Sequence, residues 1–145
     1  MEKLAALCCL WAFGLADKDD YYSELDRLFL ENPEDDLLLE LEGLGDDRAE
    51  AWARLGRLAR SSLNIDIFGK ELFAALEKVY NENRVSLAKF GELCHEMWRE
   101  LTADFWDDEP FYSLSYAYLP LDEYGDEKQT REFFQKAFDY YKEKP

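Results

Sequence analysis

A single histidine stands in the whole chain, at position 95. A helix-borne zinc site of the HExxH kind needs two imidazoles one turn apart. Cys94-His95-Glu96-Met97-Trp98-Arg99 opens that way, but Arg99 stands where the second imidazole belongs. Cys94 and His95 are neighbours about 100° apart on a helix, which keeps them from acting as nucleophile and base. His95 is therefore expected as a structural or surface residue. Cysteine is nearly as scarce. Cys8, Cys9 and Cys94 form an odd set without CxxC spacing, and Cys8 and Cys9 are adjacent. They are expected as free, buried thiols in a reducing compartment. No glycine-rich phosphate loop and no GxSxG elbow occurs. Asp17-Lys18-Asp19-Asp20 has the acids of a calcium loop, yet Tyr22 takes the place of the sixth-position glycine and Leu28 that of the twelfth-position Glu. No catalytic, metal-ligating or cofactor-binding residue is assigned, no cofactor is expected, and the chain reads as a non-enzyme.

Long hydrophobic runs are missing too. A membrane-spanning helix needs roughly 20 apolar residues, and the best run, residues 4–16, is shorter. That run has the length of a signal-peptide core, but Met-Glu-Lys before it is weakly positive. Leu4, Leu7, Cys8, Trp11 and Leu15 keep helical spacing, so a buried helix is expected.

The most telling absence is of positive charge in two places. Residues 104–127 contain eight carboxylates and no lysine or arginine. Residues 17–50 hold 14 carboxylates against three basic residues. Together they more than account for the net charge of -16. Everything else is a nearly neutral framework. Even acidity serves solubility, whereas concentrated acidity is a surface suited to something basic. The same charge disfavours nucleic acid and anionic lipid, which need cationic contacts.

What is present supports a folded chain. Apolar content of 48% and aromatic content of 16% exceed what disordered acidic segments carry. At 145 residues a single helical domain, 1–145, is expected, burying roughly 70% of its unfolded surface. Punctuation and periodicity predict seven helices, near 3–15, 19–31, 33–43, 47–61, 67–81, 87–103 and from 127 onward. Asn32-Pro33-Glu34-Asp35 reads as a helix start with Asn32 as cap and Pro33 at the first position. Leu37, Leu38, Leu41 and Leu44 make a leucine stripe, and the alternation at 39–42 leaves a strand open. Ser86 is a predicted cap. Asp126 and Gln129 have capping-box spacing. Arg54, Arg57 and Arg60 are expected to pair with carboxylates of the second or third helix. Residues 104–126, with Pro110 and Pro120, match helix spacing poorly and are expected as one long irregular loop or a short extended segment. The predicted fold is an all-α compact bundle of about seven helices with this loop.

Aromatics gather around that loop. Interfaces concentrate their energy in a few Tyr, Trp and charged contacts. Asp107, Asp108, Glu109, Tyr112, Tyr116 and Tyr118 are therefore candidate partner-binding residues, as are Asp122, Glu123 and Tyr124. Asp19, Asp20, Asp35 and Asp36 join them from the first acidic stretch, on the expectation that both stretches form one exposed patch. The plainer reading is that the loop's aromatics cap one end of the bundle and its acids solvate it.

The small size, the acidity, the lack of catalytic motifs and the segment Asn32-Pro33-Glu34-Asp35-Asp36-Leu37-Leu38-Leu39-Glu40-Leu41-Glu42 resemble bacterial toxin-immunity proteins of the contact-dependent-inhibition and polymorphic-toxin type. The resemblance implies a cytoplasmic protein that neutralises one cognate toxin, often an RNase or DNase, by occluding its cationic cleft. The expected partner is thus a basic protein, with no direct nucleic acid and no membrane. Two other classes fit the composition: a helical adaptor that self-associates or bridges partners, and a nucleic-acid mimic with carboxylates at phosphate spacing.

Overall fold

Leu4, Ala5, Cys8 and Cys9 are wholly shielded from solvent, and they sit on consecutive turns of one helix that is apolar nearly all round. A computed structural model describes residues 1–101 and 108–144. Among these residues the regular structure is all helix: α1 Glu2–Ala12, α2 Lys18–Glu31, α3 Asp36–Gly43, α4 Arg48–Ser61, α5 Ile65–Asn81, α6 Leu87–Leu101, α7 Ser113–Tyr116, α8 Leu119–Tyr124 and α9 Glu127–Glu143. The all-α class expected from sequence is the class observed. The chain packs as two compact units, Met1–Leu72 and Phe73–Pro145, with the division falling inside α5.

In the first unit α1 lies against α2 and α4, and α3 packs on α2. Trp11 stacks on Tyr21 at 5.0 Å between ring centroids, and Phe13 meets Trp52 edge-on at 6.3 Å. Burying each large apolar side chain in such a core contributes about 1.5–3 kcal/mol. α1 stops at Ala12, three residues before the expected end. Gly14, at φ +77°, turns the chain back, and the Leu15 amide donates to the Leu10 carbonyl at 2.9 Å. That is the left-handed turn a glycine supplies at a helix end, and it leaves Leu15 buried without continuing the helix.

The start of α3 differs from expectation. Asp35, not Asn32, is the cap: its carboxylate accepts from the amides of Leu37 and Leu38 at 3.0 and 3.1 Å. Asn32 closes α2 instead, and its carbonyl accepts from the Asp35 amide. Pro33 thus lies in a turn between two helices. A cap must reach the amides two and three residues on, and the leucine run that carries the buried face begins only at 37. Residues 39–42 are helical, which settles the strand alternative.

In the second unit α7 packs on α6 and α9, and α8 on α9. Tyr80, Phe90, Phe134 and Phe138 form a ring cluster, with Phe90–Phe134 centroids 5.0 Å apart and nearly perpendicular. Edge-on aromatic pairs of this kind add about 0.5–1.5 kcal/mol beyond their buried area. The predicted caps are made: Ser86 Oγ accepts from Lys89 N at 3.1 Å, and Asp126 accepts from Gln129 N at 3.0 Å. The segment expected as one irregular loop carries two short helices, α7 and α8. Four and six residues are too few to display a 3.6-residue period, so their helicity left no repeat in the sequence.

None of the three cysteines is in a disulfide among the described residues, and all three are buried. Burial pushes the Cys8 thiol up to about 12 and raises Cys94 as well. A thiol that seldom ionises is a poor nucleophile, so these residues act as small apolar groups.

Candidate functional site

The second acidic stretch is built on α7, α8 and the turn before α9. Glu109 sits ahead of α7 and is occupied by its own chain. One carboxylate oxygen accepts from the Ser113 amide at 3.1 Å and from the Ser113 hydroxyl, and the other accepts from the Tyr116 hydroxyl at 2.9 Å. The ring of Tyr116 packs edge-on against Phe133 at 5.1 Å. Burial is the larger influence holding the Tyr116 phenol above its ordinary range, with Glu109 adding to it. Glu109, Ser113 and Tyr116 therefore fix the local fold.

Tyr118 is similarly committed. It follows α7 and is half-buried, with its ring 4.9 Å from His95 on α6. His95 also places Nδ1 3.1 Å from the Ser115 carbonyl oxygen and stacks on Trp98. The lone histidine is a packing residue that joins α6 to α7.

The exposed remainder of this stretch is smaller and better defined. Asp108, Tyr112, Asp122, Glu123 and Tyr124 all face solvent. Tyr124 is 86% exposed, the most exposed large hydrophobic side chain among the described residues. Hydrogen bonds anchor its backbone. Gly125, at φ +67°, ends α8, its amide donating to Leu121 O at 2.9 Å and that of Asp126 to Pro120 O at 2.9 Å. The buried Thr130 hydroxyl accepts from the Leu121 amide at 3.0 Å and ties α8 to α9. Asp126 is spent as the α9 cap. Among the described residues, neither Asp122 nor Glu123 meets a cation within ion-pair distance, so their charge is uncompensated beside the exposed ring. Asp107, the other residue assigned here from sequence, lies outside the described residues.

The first acidic stretch belongs to the other unit, Met1–Leu72. Much of its charge is used internally. Glu24 is buried and receives a bidentate fork from Arg27, both contacts 2.8 Å, while Arg27 also reaches Glu31. Lys18 pairs with Asp46 at 3.0 Å. Arg54 pairs with Glu40 of α3 and Glu50 of its own helix, as expected for the arginine stripe, whereas Arg57 points to solvent. Glu42 approaches Asp26; burial first, then the neighbouring carboxylate, holds its carboxyl above the usual range. Of the sequence-assigned residues, Asp35 is the α3 cap, while Asp19, Asp20 and Asp36 are exposed in first turns of helices.

Sequence reasoning missed the exposed leucines. Leu30 is 81% and Leu39 49% exposed. Leu39 fell outside the predicted stripe of 37, 38, 41 and 44, so its outward position was readable from spacing alone. An open groove of about 690 Å³ lies along α9, lined by Tyr80, Glu127, Lys128, Arg131 and neighbours. Its arginine is spent on Glu127 and on the Tyr80 hydroxyl. Among the described residues no three His, Cys, Asp or Glu side chains gather as a metal ion would require, and no helix is long and apolar enough to cross a membrane. Neither a family model, nor a curated protein, nor a solved structure matches this chain.

Proposed function

We propose that this chain is an acidic inhibitory binding protein that neutralises a basic partner, a toxin domain of the nuclease class, by covering its cationic cleft. The observation that carries the reading is Tyr124: a large aromatic side chain 86% exposed on a short helix, with the exposed carboxylates Asp122 and Glu123, which meet no cation among the described residues, directly before it. A rigid aromatic ring gives contact area at low entropy cost, and flanking charges steer an oppositely charged surface toward it. Opposed fields of this kind raise association toward about 10⁸–10⁹ M⁻¹s⁻¹ at low salt, which suits an inhibitor that must act before its target does. The resemblance to toxin-immunity proteins points the same way, and with it comes a cytoplasmic place of action. The role needs no catalytic group, and none is invoked.

The test is capture of partners from the native host at low salt, by the chain itself and by its Tyr124→Ala variant, followed by assay of the captured protein for nuclease activity. The expected result is a basic protein, lost at high salt and retained poorly by the variant, whose nuclease activity falls in proportion to added chain. A captured protein that is acidic, or a nuclease whose activity the chain leaves untouched, would overturn the reading.

A further inference from the structure

α8 is a helix of six residues, each of them half-buried or exposed. Isolated helices shorter than about 12 residues are marginal in water, so this one depends on what holds it from outside. Its N-cap residue is Tyr118, whose side chain makes no capping bond among the described residues. Pro120, at the second position, has no amide to satisfy. The amide of Leu121, at the third, is met from the next helix: the Thr130 hydroxyl of α9 accepts from it at 3.0 Å, across nine residues of chain.

Thr130 is an unusual residue for its place. It is 0% exposed, on the face of α9 that also buries Phe134, Ala137 and Phe138. A β-branched residue suits a helix less well than alanine. A hydroxyl on an apolar face is costly unless it is hydrogen-bonded. Holding α8 accounts for both choices. Three residues beyond Leu121, at the end of the same short helix, stands the exposed ring of Tyr124.

We propose that Thr130 is a positioning residue of the partner-binding site: its hydroxyl keeps α8 folded on α9, so that Tyr124 meets the partner already ordered. The proposal rests on the reading of Tyr124 as the contact residue. A contact ordered beforehand loses little conformational freedom on binding. Without the bond, Asp122 and Glu123 keep their charge and still steer the encounter, but the ordering of residues 119–124 then opposes the complex itself. The loss therefore falls on the lifetime of the complex and not on its salt-dependent formation.

The test compares Thr130→Val, nearly the same shape without the hydroxyl, with Thr130→Ser, which keeps it. Amide hydrogen exchange is read in the free chain, and association and dissociation rates are read with the basic protein captured from the native host. The Leu121 amide is expected to be protected in the natural chain. Thr130→Val should speed exchange over residues 119–124 and leave α6 as protected as before. It should quicken dissociation roughly five- to tenfold, with the association rate and its salt slope unchanged because no charge is altered. Thr130→Ser should restore both readouts. Adding Thr130→Val to Tyr124→Ala should quicken dissociation no further, since both act through one ring. A Leu121 amide that exchanges freely in the natural chain, a result that needs no variant to fold, would overturn the proposal. So would unchanged dissociation from a folded Thr130→Val, additive effects in the double variant, no rescue by Thr130→Ser, or exchange that rises equally in α6. If Tyr124→Ala releases the captured protein faster and Thr130→Val does not, this proposal falls and the inhibitor reading stands. If the captured protein is no nuclease and both variants release it alike, the inhibitor reading falls and this proposal stands.

Discussion

Gly91 on α6 lies so close to Tyr118 that a Cβ added at 91 would stand 2.6 Å from the Tyr118 Cβ and 3.3 Å from its Cα. Real atoms do not approach that far, and part of the neighbour is backbone. Gly91→Ala is therefore expected to destabilise the second unit by about 1–3 kcal/mol, lowering the thermal midpoint. Tyr118→Ala should also destabilise it while leaving partner affinity unchanged. Equal stability in Gly91→Ala, or a binding loss in a well-folded Tyr118→Ala, would contradict the assignment of Tyr118 to packing.

Glu109 makes a sharper case. Its carboxylate accepts three hydrogen bonds from Ser113 and Tyr116. Glu109→Gln keeps one acceptor oxygen and replaces the other with a donor facing donors. The expected cost is about 1–3 kcal/mol, read as a lower urea midpoint. A variant as stable as the natural chain would show that the carboxylate is free for other uses.

The caps around α3 separate two readings of one segment. Asp35→Ala should cost about 1 kcal/mol, whereas Asn32→Ala should cost much less, because Asn32 caps nothing with its side chain. The opposite ranking in chemical denaturation would restore the start of α3 inferred from Asn32-Pro33.

Two carboxyls of the first unit should respond to pH with opposite sign. Hydrogen bonding to Arg27, above all, holds Glu24 below the usual carboxylate range. Its contribution is complete above the unfolded value, about 4.3, and is lost as pH falls through the lower folded value. Glu42 is raised, by burial first and then by Asp26. The folded state then holds the Glu42 proton more tightly, so stability declines as pH rises from about 4.3 through the raised folded value. Urea midpoints at about pH 7 should accordingly fall for Glu24→Gln and rise for Glu42→Gln, with both differences shrinking near pH 3. Shifts of the same sign in the two variants would contradict this arrangement.

Long amphipathic helices were legible in the sequence because their period repeats over several turns. On α6 the buried residues Phe90, Leu93, Cys94, Met97 and Leu101 recur at helical spacing, and the cap roles of Ser86 and Asp126 followed from local chemistry. α7 and α8 were not legible. What stabilises them is Glu109 reaching Ser113 and Tyr116, and Thr130 reaching Leu121, contacts that a one-dimensional pattern does not display. For the same reason Tyr116, Tyr118 and Tyr124 looked equivalent as residues of one acidic, aromatic stretch. Burial separates them, since the first two pack on Phe133 and His95 while the third faces water. Charge segregation was plain from sequence, but which carboxylates are spent on Arg27, Lys18 and Arg54 depends on how α2, α3 and α4 pack.

The proposed function stands on exposed carboxylates beside Tyr124 steering a basic partner onto the chain. The association rate constant of the captured, purified partner, measured against salt for the natural chain and for Asp122→Asn/Glu123→Gln, tests it most directly. The natural chain should associate fast at low salt and slow steeply as salt rises. The doubly neutralised variant should start slower and follow a shallower slope. Two curves of the same height and slope would show that these carboxylates do not guide the encounter.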